Sequence, residues 1–534
     1  MKIHSIVYSL GVAALACASL SSCEDYLSEM PDNRTTIDTE DKVVKLLTSA
    51  YSSAAPIVMV ECVSDNIDDL GDNYSNYTSR FYDQLYAWQD ITESSNDGPY
   101  FVWQGYYNAI AAANEALNGI QRIGGANTET LREAMAEALL CRAYSHYMLA
   151  YTFCMPYDPE TASSELGLTY MTSSETTVNP EYERCSLEEY YGHINDDIQQ
   201  ALVYVGDSHL TVPKYHFNRA AAYAFAAHFY LDYQKWDLAE DYATLALGTS
   251  PTTMLRNWDE VSNTAPGDYN EAWTNLYVDE DANSNLLLMT ATSQAGLWVC
   301  YPFPMGNTKY SHSRYLADTE DIMSSNIWGA YTLQRLYPTG ILVYSGSYFN
   351  RVSAPKLNNF FYWQNEDHTA FLAMIVYPAF KTDLTLLERA EARIMQDNYT
   401  GACEDLTLWM QNWTNSKMTL TPENITSYYR AMKYYTPFEP TQKKHLDPVF
   451  EIGEEGGTKE SMLQCLLQFK RIETLYEGYR WFDIKRYGIT VYRRKFNASG
   501  RPEELTDSLL PGDRRRALQL PQEVITAGYQ PNPR

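Results

Sequence analysis

The stretch FNRAAAYAFAAHFYLDYQKWDLAEDYATLAL, residues 217–247, decides the fold class of this chain. Its apolar residues recur at intervals of three and four, which is the period of an amphipathic helix. A short break at residues 233–235 separates two such runs. Alanines stand where two helices must approach closely, and Tyr230 and Trp236 are placed to fill the gap between them. We therefore predict a helix pair of the tetratricopeptide type.

A second segment repeats this rhythm. Its marker residues stand 6, 3, 4 and 3 positions apart, like those of the first segment: Arg393, Tyr399, Ala402, Leu406 and Trp409 against Tyr230, Trp236, Ala239, Ala243 and Ala246. The pattern predicts further helices at 102–123, 131–151, 186–205 and 463–487. Thr128 is a candidate N-cap, and Ser186 with Glu189 forms a candidate capping box.

Residues 57–100, 251–380 and 488–534 lack a sustained helical period and are rich in polar, aromatic, Gly or Pro residues. We expect a mainly α fold of tetratricopeptide-like helix pairs with an irregular, loop-rich subdomain inserted. The predicted divisions are a signal segment at 1–22, a helical region at 23–250, the loop-rich subdomain at 251–380 and a C-terminal helical region at 381–534. Long loops on a helical scaffold are usually functional when they are ordered.

The N-terminus predicts export and lipid anchoring. Lys2 precedes an apolar stretch, Ile6 to Ala18, that is too short to span a bilayer, which needs roughly 20 apolar residues. The stretch leads to Leu20-Ser21-Ser22-Cys23, which resembles a bacterial lipobox, and an acidic pair follows. We expect Cys23 to become the acylated first residue of the mature chain. The alternative is an ordinary secretory signal that contains a cysteine.

Composition excludes some function classes. The formal net charge is -28, and nucleic-acid binding requires basic surface, so we expect no nucleic-acid partner. The nine cysteines are widely spaced, and none stands in a zinc-ligand motif. The 45 tyrosines and 11 tryptophans suit either helix packing or a binding surface for sugars or peptides, because their rings combine an apolar face with a polar edge.

The order of motifs resembles the SusD/RagB family of outer-membrane lipoproteins. After the lipobox come Trp103, Tyr106, Ile110 and Asn114, then Ala138, Arg142, Ala143, Tyr144 and Leu149, then Asn218 to Tyr223, and then Leu387 to Ala392. The most specific piece is RIETLYEGYRWFDIKR at 471–486, which is similar to the family's E-L-x-x-E-G-x-R-x-x-D-x-x-R signature, with Thr474 where Glu is usual. Leu520-Pro521-Gln522-Glu523 and Asn532-Pro533 also fit the family's ending.

This resemblance implies four tetratricopeptide-type helix pairs that carry an irregular subdomain. It also implies a role as a lid over a SusC-like TonB-dependent barrel transporter in the outer membrane. Most characterised members take oligosaccharides and some take peptides, so both ligand classes stay open, with the oligosaccharide preferred. The predicted location is the cell outer membrane, with the lipid-anchored body facing outside.

The family places its pocket between an early loop and the irregular subdomain. Sugar rings stack on aromatic side chains, and their hydroxyl groups are bound by Asp, Asn and Arg. The candidate ligand-binding residues are the stacking side chains Trp88, Trp298, Tyr301 and Trp328 and the polar side chains Asp65, Asn66 and Arg351. Core packing is the competing interpretation for each aromatic residue.

Two groups of acidic residues could serve in a catalytic or a metal site, or could have structural roles. Glu473 and Glu477 are four apart, which would place both on one helix face, and a glycosidase also needs two carboxylates. We favour ion pairs with Arg471, Arg480 and Arg486 instead, and predict no enzyme and no catalytic residue, with a surface glycoside hydrolase as the alternative. The acidic loop 65–72 has oxygen ligands suited to calcium but lacks EF-hand spacing, so we predict no cofactor and a solvated loop, with a calcium site as the alternative.

Overall fold

The computed structural model describes residues 37–71, 80–174, 181–265, 271–299, 309–330, 352, 356–367, 369–497 and 499–534. Within them the α-helices are, in chain order, α1 Glu40–Leu47, α2 Ile57–Val63, α3 Arg80–Tyr86, α4 Pro99–Arg122, α5 Glu129–Phe153, α6 Leu187–Leu202, α7 Arg219–Asp232, α8 Trp236–Leu247, α9 Trp258–Asn263, α10 Glu271–Tyr277, α11 Ala295–Val299, α12 Arg314–Glu320, α13 Thr382–Met395, α14 Tyr399–Trp413, α15 Pro422–Ala431, α16 Thr458–Glu473, α17 Arg480–Arg486 and α18 Gln522–Thr526. The strands are β1 Asp68–Asp69, β2 Asn285–Thr292, β3 Tyr310–Ser311, β4 Phe360–Trp363, β5 Phe371–Lys381, β6 Val491–Phe496 and β7 Pro502–Leu509.

The helices pack as consecutive antiparallel pairs, and the expected mainly α fold class is confirmed. In the pair formed by α7 and α8, Tyr230 is buried and stacks on Tyr242, with 5.6 Å between ring centroids. Trp236 instead packs against Phe450 from a later loop. The segment 393–409, which carries the repeated spacing, covers the end of α13 and most of α14, and these two helices form another pair.

Local side-chain caps explain where several of these helices begin. The Thr128 hydroxyl accepts a hydrogen bond from the amide of Leu131 at 3.1 Å, and this fixes the start of α5. Ser186 and Glu189 form the predicted capping box at the start of α6. Among the described residues, no helix is long and apolar enough to cross a membrane.

The helix predicted at 463–487 is two helices. Helix α16 ends at Glu473, and α17 begins at Arg480. Between them Tyr476 and Gly478 have positive φ values of 66° and 82°. An α-helix cannot include residues in the left-handed region, so these two residues end the helix. The apolar pattern of the sequence continues through the turn and therefore gave no sign of the break.

Two sheets occupy regions where the sequence predicted only loops. Strands β2, β5 and β4 form an antiparallel sheet with β5 in the centre. Strands β3, β1, β6 and β7 form a second sheet, in which β1 pairs parallel with β6. The sequence analysis described residues 251–380 and 488–534 as irregular and did not predict these strands. The division of the chain into four regions stays a prediction.

Candidate ligand-binding surface

The predicted polar residues Asp65 and Asn66 lie in a buried ion-pair network. Arg480 donates from Nε and Nη2 to the two carboxylate oxygens of Asp65, at 2.8 Å each. Arg471 donates from Nε to Oδ1 of Asn66 at 2.9 Å. The neighbouring arginine and lysine cations hold the pKa of Asp65 well below its usual range against the opposing effect of burial. The expectation of a solvated loop was wrong for Asp65, Asn66 and Asp68, because Asn66 and Asp68 are buried and the Asp65 side chain is only 9% exposed.

The three predicted stacking tryptophans are buried as well, each only 4% exposed. Trp88 donates from Nε1 to the Val63 carbonyl at 3.0 Å, and the Arg493 guanidinium lies 4.2 Å from its ring centroid. Trp298 donates to the Tyr310 carbonyl at 3.1 Å.

The third tryptophan, Trp328, packs against Phe469 and Trp409, with ring centroids 5.4 Å and 6.4 Å away. All three tryptophans thus pack in the core, which was the competing interpretation. A binding role for these residues stays a prediction.

The remaining predicted residues, Cys23, Tyr301 and Arg351, lie outside the described residues, as does Asp72 at the end of the acidic loop. No group of three or more His, Cys, Asp or Glu side chains in the described part of the chain could hold a metal ion.

The signature at 471–486 makes ion pairs, but not the expected ones. Glu473 and Glu477 both bind the ammonium of Lys381, at 2.8 Å and 2.5 Å. Trp409 and Trp413 also donate their indole N–H groups to Glu473. Glu477 lies beyond the end of α16, so the two acids do not share a helix face.

The arginines of the signature bind acids from distant segments instead. Arg480 binds Asp65, while Arg486 binds Glu391 and Asp232 at 2.7 Å and 3.0 Å. These pairs join segments that are far apart in the sequence. The structural role expected for the signature therefore holds, with different partners.

The aromatic hairpin, which we define as β4, β5 and the turn between them, carries the clearest exposed ring cluster. Every residue of β4 is an exposed aromatic: Phe360, Phe361, Tyr362 and Trp363. Because side chains alternate along a strand, Phe361 and Trp363 share one face. Phe371 lies opposite Trp363 in β5 and adds a third ring to that face. The exposed fractions of these three side chains are 42%, 42% and 49%.

The three rings hold one another in position. The centroid of Phe371 lies 5.0 Å from that of Phe361 and 5.4 Å from that of Trp363, with interplanar angles of 84° and 73°. Such edge-to-face contacts are a preferred aromatic geometry. A ligand that binds this face would therefore meet rings whose orientation is already restricted.

The base of the aromatic hairpin is fixed to the body by buried polar groups. Asn359 donates from Nδ2 to the Ser293 carbonyl at 2.7 Å, and its Oδ1 accepts from the Leu297 amide at 2.5 Å. Ser293 in turn donates its hydroxyl to Asp97 at 2.5 Å, just before the start of α4. Burial raises the pKa of Asp97 to about 6. These bonds connect the hairpin to the N-terminal helices.

The tip of the aromatic hairpin is also ordered by a side chain. Oδ1 of Asn365 accepts hydrogen bonds from the amides of Thr369 and Ala370 at 3.1 Å and 3.0 Å. Asn is common in turns because its side chain can satisfy local backbone donors in this way. The exposed rings thus stand on a strand pair that is held at both ends.

The sequence analysis missed this surface, although a signal was present. Four consecutive aromatic residues at 360–363, followed by the apolar run 371–380, are typical of a strand pair. The sequence analysis instead selected isolated tryptophans as binding residues, and the fold buries them. An exposed row of Phe, Tyr and Trp can stack on apolar faces of a ligand, and the polar edges of Tyr and Trp can hydrogen bond.

One known family matches part of the chain. Residues 25–231 match the SusD-like family described as "Starch-binding associating with outer membrane". No curated protein matches the sequence.

Solved structures share the fold over nearly the whole chain. A SusD superfamily protein from Bacteroides thetaiotaomicron has a TM-score of 0.59 at 17% identity, with 94% of this chain and 100% of that chain covered. A SusD superfamily protein from Bacteroides vulgatus has a TM-score of 0.60 at 16% identity, covering 94% and 99%. A SusD-like carbohydrate-binding protein from the same species has a TM-score of 0.57 at 13% identity, covering 92% and 96%.

The chain therefore shares its fold with these solved structures. The family match over residues 25–231 agrees with the resemblance of the motifs to the SusD/RagB family.

Proposed function

We propose that this protein is an outer-membrane lipoprotein that captures an oligosaccharide at the cell surface and delivers it to a SusC-like TonB-dependent transporter. The observation that carries the ligand class is the exposed, mutually packed ring cluster of Phe361, Trp363 and Phe371. Pyranose rings present apolar C–H faces, and aromatic side chains offer flat apolar surfaces for them. The family's description as starch-binding and associated with the outer membrane supports the same assignment.

The anchor in this proposal is the lipid on Cys23. Several acyl chains on one cysteine hold a protein firmly to a bilayer, since each buried CH₂ contributes about 0.8 kcal/mol. An anionic lipid surface would repel a chain with a net charge of -28, so attachment would depend on the lipid.

The positions of the acidic residues fit a binding protein better than a glycoside hydrolase. The acids that could have suggested a glycosidase, Glu473 and Glu477, are buried and share the Lys381 ammonium. A glycosidase needs its two carboxyl groups on either side of the scissile bond, in contact with substrate. Neither acid can make that contact in this arrangement.

Peptide capture by the same architecture is the second candidate. Among the described residues β4 is an edge strand of its sheet, and this position favours peptide capture, because an extended peptide could add to the sheet there. Titration calorimetry of the purified protein against linear oligosaccharides and short peptides separates the two. We expect heat from at least one oligosaccharide, and heat from peptides alone would overturn the ligand class. Steady turnover of a glycan would overturn the binding role.

A further inference from the structure

The charge around the aromatic hairpin restricts which glycan it can hold. The described residues of the hairpin include two exposed carboxylates, Glu366 and Asp367, in the turn that follows Trp363. The lysines at its two ends do not compensate for them. Lys356 is buried and donates to the Glu473 carbonyl at 2.6 Å, and Lys381 is buried in its ion pairs with Glu473 and Glu477. Within residues 356–367 and 369–381, the exposed charge is therefore negative.

An anionic ligand would be repelled at this surface. Like charges in water at contact distances oppose each other by about 1 kcal/mol per pair, and the effect extends over a Debye length of about 8 Å at physiological salt. Glu366 and Asp367 follow Trp363 by three and four residues, so their backbone positions lie at most about 10–14 Å from it, which is comparable with the Debye length. The net charge of -28 adds a long-range contribution of the same sign.

The second sheet provides an internal comparison. Its edge strand β7 is also exposed, but it carries Glu503, Glu504 and Asp507, and charged side chains on an edge prevent unwanted pairing. The edge strand β4 carries four aromatic side chains and no charge. An uncharged aromatic edge on an otherwise strongly acidic chain suits a ligand that is itself uncharged.

We infer that the aromatic hairpin selects uncharged glycans and discriminates against glycans that carry carboxylate or sulfate groups. Phe361, Trp363 and Phe371 supply the stacking face, and Glu366 and Asp367 supply the discrimination. This inference rests on the proposed function and specifies its substrate class.

The test compares two sets of linear oligosaccharides by titration calorimetry at low and at moderate salt. The neutral set contains gluco-, manno-, xylo- and galacto-oligosaccharides, and the anionic set contains oligogalacturonides, alginate oligouronates and chondroitin sulfate oligosaccharides. We expect the best neutral ligand to bind at least about tenfold more tightly than any anionic one at low salt. Added salt should strengthen binding of anionic probes and leave neutral binding unchanged, because salt screens the repulsion.

Two variants assign the effect to the hairpin. The E366Q/D367N variant keeps the rings and removes the charges. The ratio of the affinity for neutral glycans to the affinity for anionic glycans should therefore fall several-fold, while the affinity for neutral glycans is retained. The E503Q/E504Q variant of β7 serves as the matched control and should leave the ratio unchanged.

Three results would overturn the inference in distinguishable ways. Tightest binding of an anionic oligosaccharide contradicts the substrate class but leaves glycan capture intact. A ratio that E366Q/D367N leaves unchanged contradicts the role of the tip carboxylates. No binding of any oligosaccharide overturns the proposed function and this inference together.

Discussion

Arg480 binds Asp65 through two parallel hydrogen bonds of 2.8 Å, although the two residues stand 415 positions apart. The two side chains are only 3% and 9% exposed, and they join α17 to the loop after α2. Bidentate arginine–carboxylate pairs of this kind fix geometry as well as charge. Asp65 is thus a structural residue that fastens the C-terminal part of the chain to its beginning.

Arg480→Lys should destabilise the protein by about 2–4 kcal/mol, because lysine cannot form the two-bond contact and Asp65 would remain buried with a poorer partner. Urea unfolding followed by circular dichroism measures the change. The control is Arg514→Lys, whose pair with Glu165 is partly exposed. There the loss should stay below about 1 kcal/mol. Equal losses in the two variants would contradict the structural role of the Asp65 pair.

Gly478→Ala should destabilise by about 1–3 kcal/mol, since residue 478 has a φ of 82° and an added Cβ would lie 2.7 Å from Cγ2 of Val60. The turn between α16 and α17 thus requires a residue that adopts a positive φ and has no Cβ. Gly512→Ala is the control, because a Cβ there meets no atom within 4 Å. Thermal unfolding compares the two, and an unchanged melting temperature for Gly478→Ala would contradict the account of this turn.

Glu61→Gln should change how stability depends on pH. Burial raises the pKa of Glu61 to about 7, against hydrogen bonds from Asn66 and from the amides of Tyr476 and Gly478. A carboxyl group whose native pKa is raised stabilises the fold below its unfolded pKa of 4.5, and this contribution is lost as pH rises through about 7.

The stability advantage of the wild type over Glu61→Gln should therefore shrink between pH 4.5 and 8, by roughly 3 kcal/mol at most. Urea midpoints at several pH values measure the difference. An advantage that is constant or grows with pH would show that Glu61 does not titrate in this window.

Cys23→Ala should release the protein from membranes, because the substitution removes the thiol that the lipobox prediction acylates. Membrane fractionation and metabolic labelling with a fatty acid report the two consequences separately. Fractionation that the substitution leaves unchanged, together with retained label, would contradict anchoring at Cys23.

Helices were predictable because their signals are local. The apolar period of residues 217–247, the cap at Thr128 and the box at Ser186 and Glu189 each lie within a few positions of the helix they define. The strands were harder to predict from the sequence. Strand β5 is mostly one unbroken apolar run, and its partner β2 stands about 90 positions earlier, so the pairing is not encoded by local alternation.

The candidate site was harder to predict for a related reason. Asp65, Asn66 and Asp68 look like a solvated acidic loop until Arg471, Arg480 and Arg494, about 400 positions later, enclose them. Isolated tryptophans gave no sign of whether the fold buries them. The run of four aromatics at 360–363 was the better signal, because adjacent strand residues point to opposite faces and cannot all be buried on an edge strand with one covered face.

The central claim is that the aromatic hairpin binds glycan, and titration of the F361A/W363A variant tests it most directly. The best oligosaccharide from the wild-type screen serves as ligand, and Tyr204→Ala, an exposed aromatic after α6, is the matched control. Each stacked ring contributes on the order of 1 kcal/mol, so we predict at least about tenfold weaker binding for F361A/W363A, with an unchanged melting temperature. Wild-type affinity in F361A/W363A would contradict the assignment of the hairpin as the glycan-binding surface.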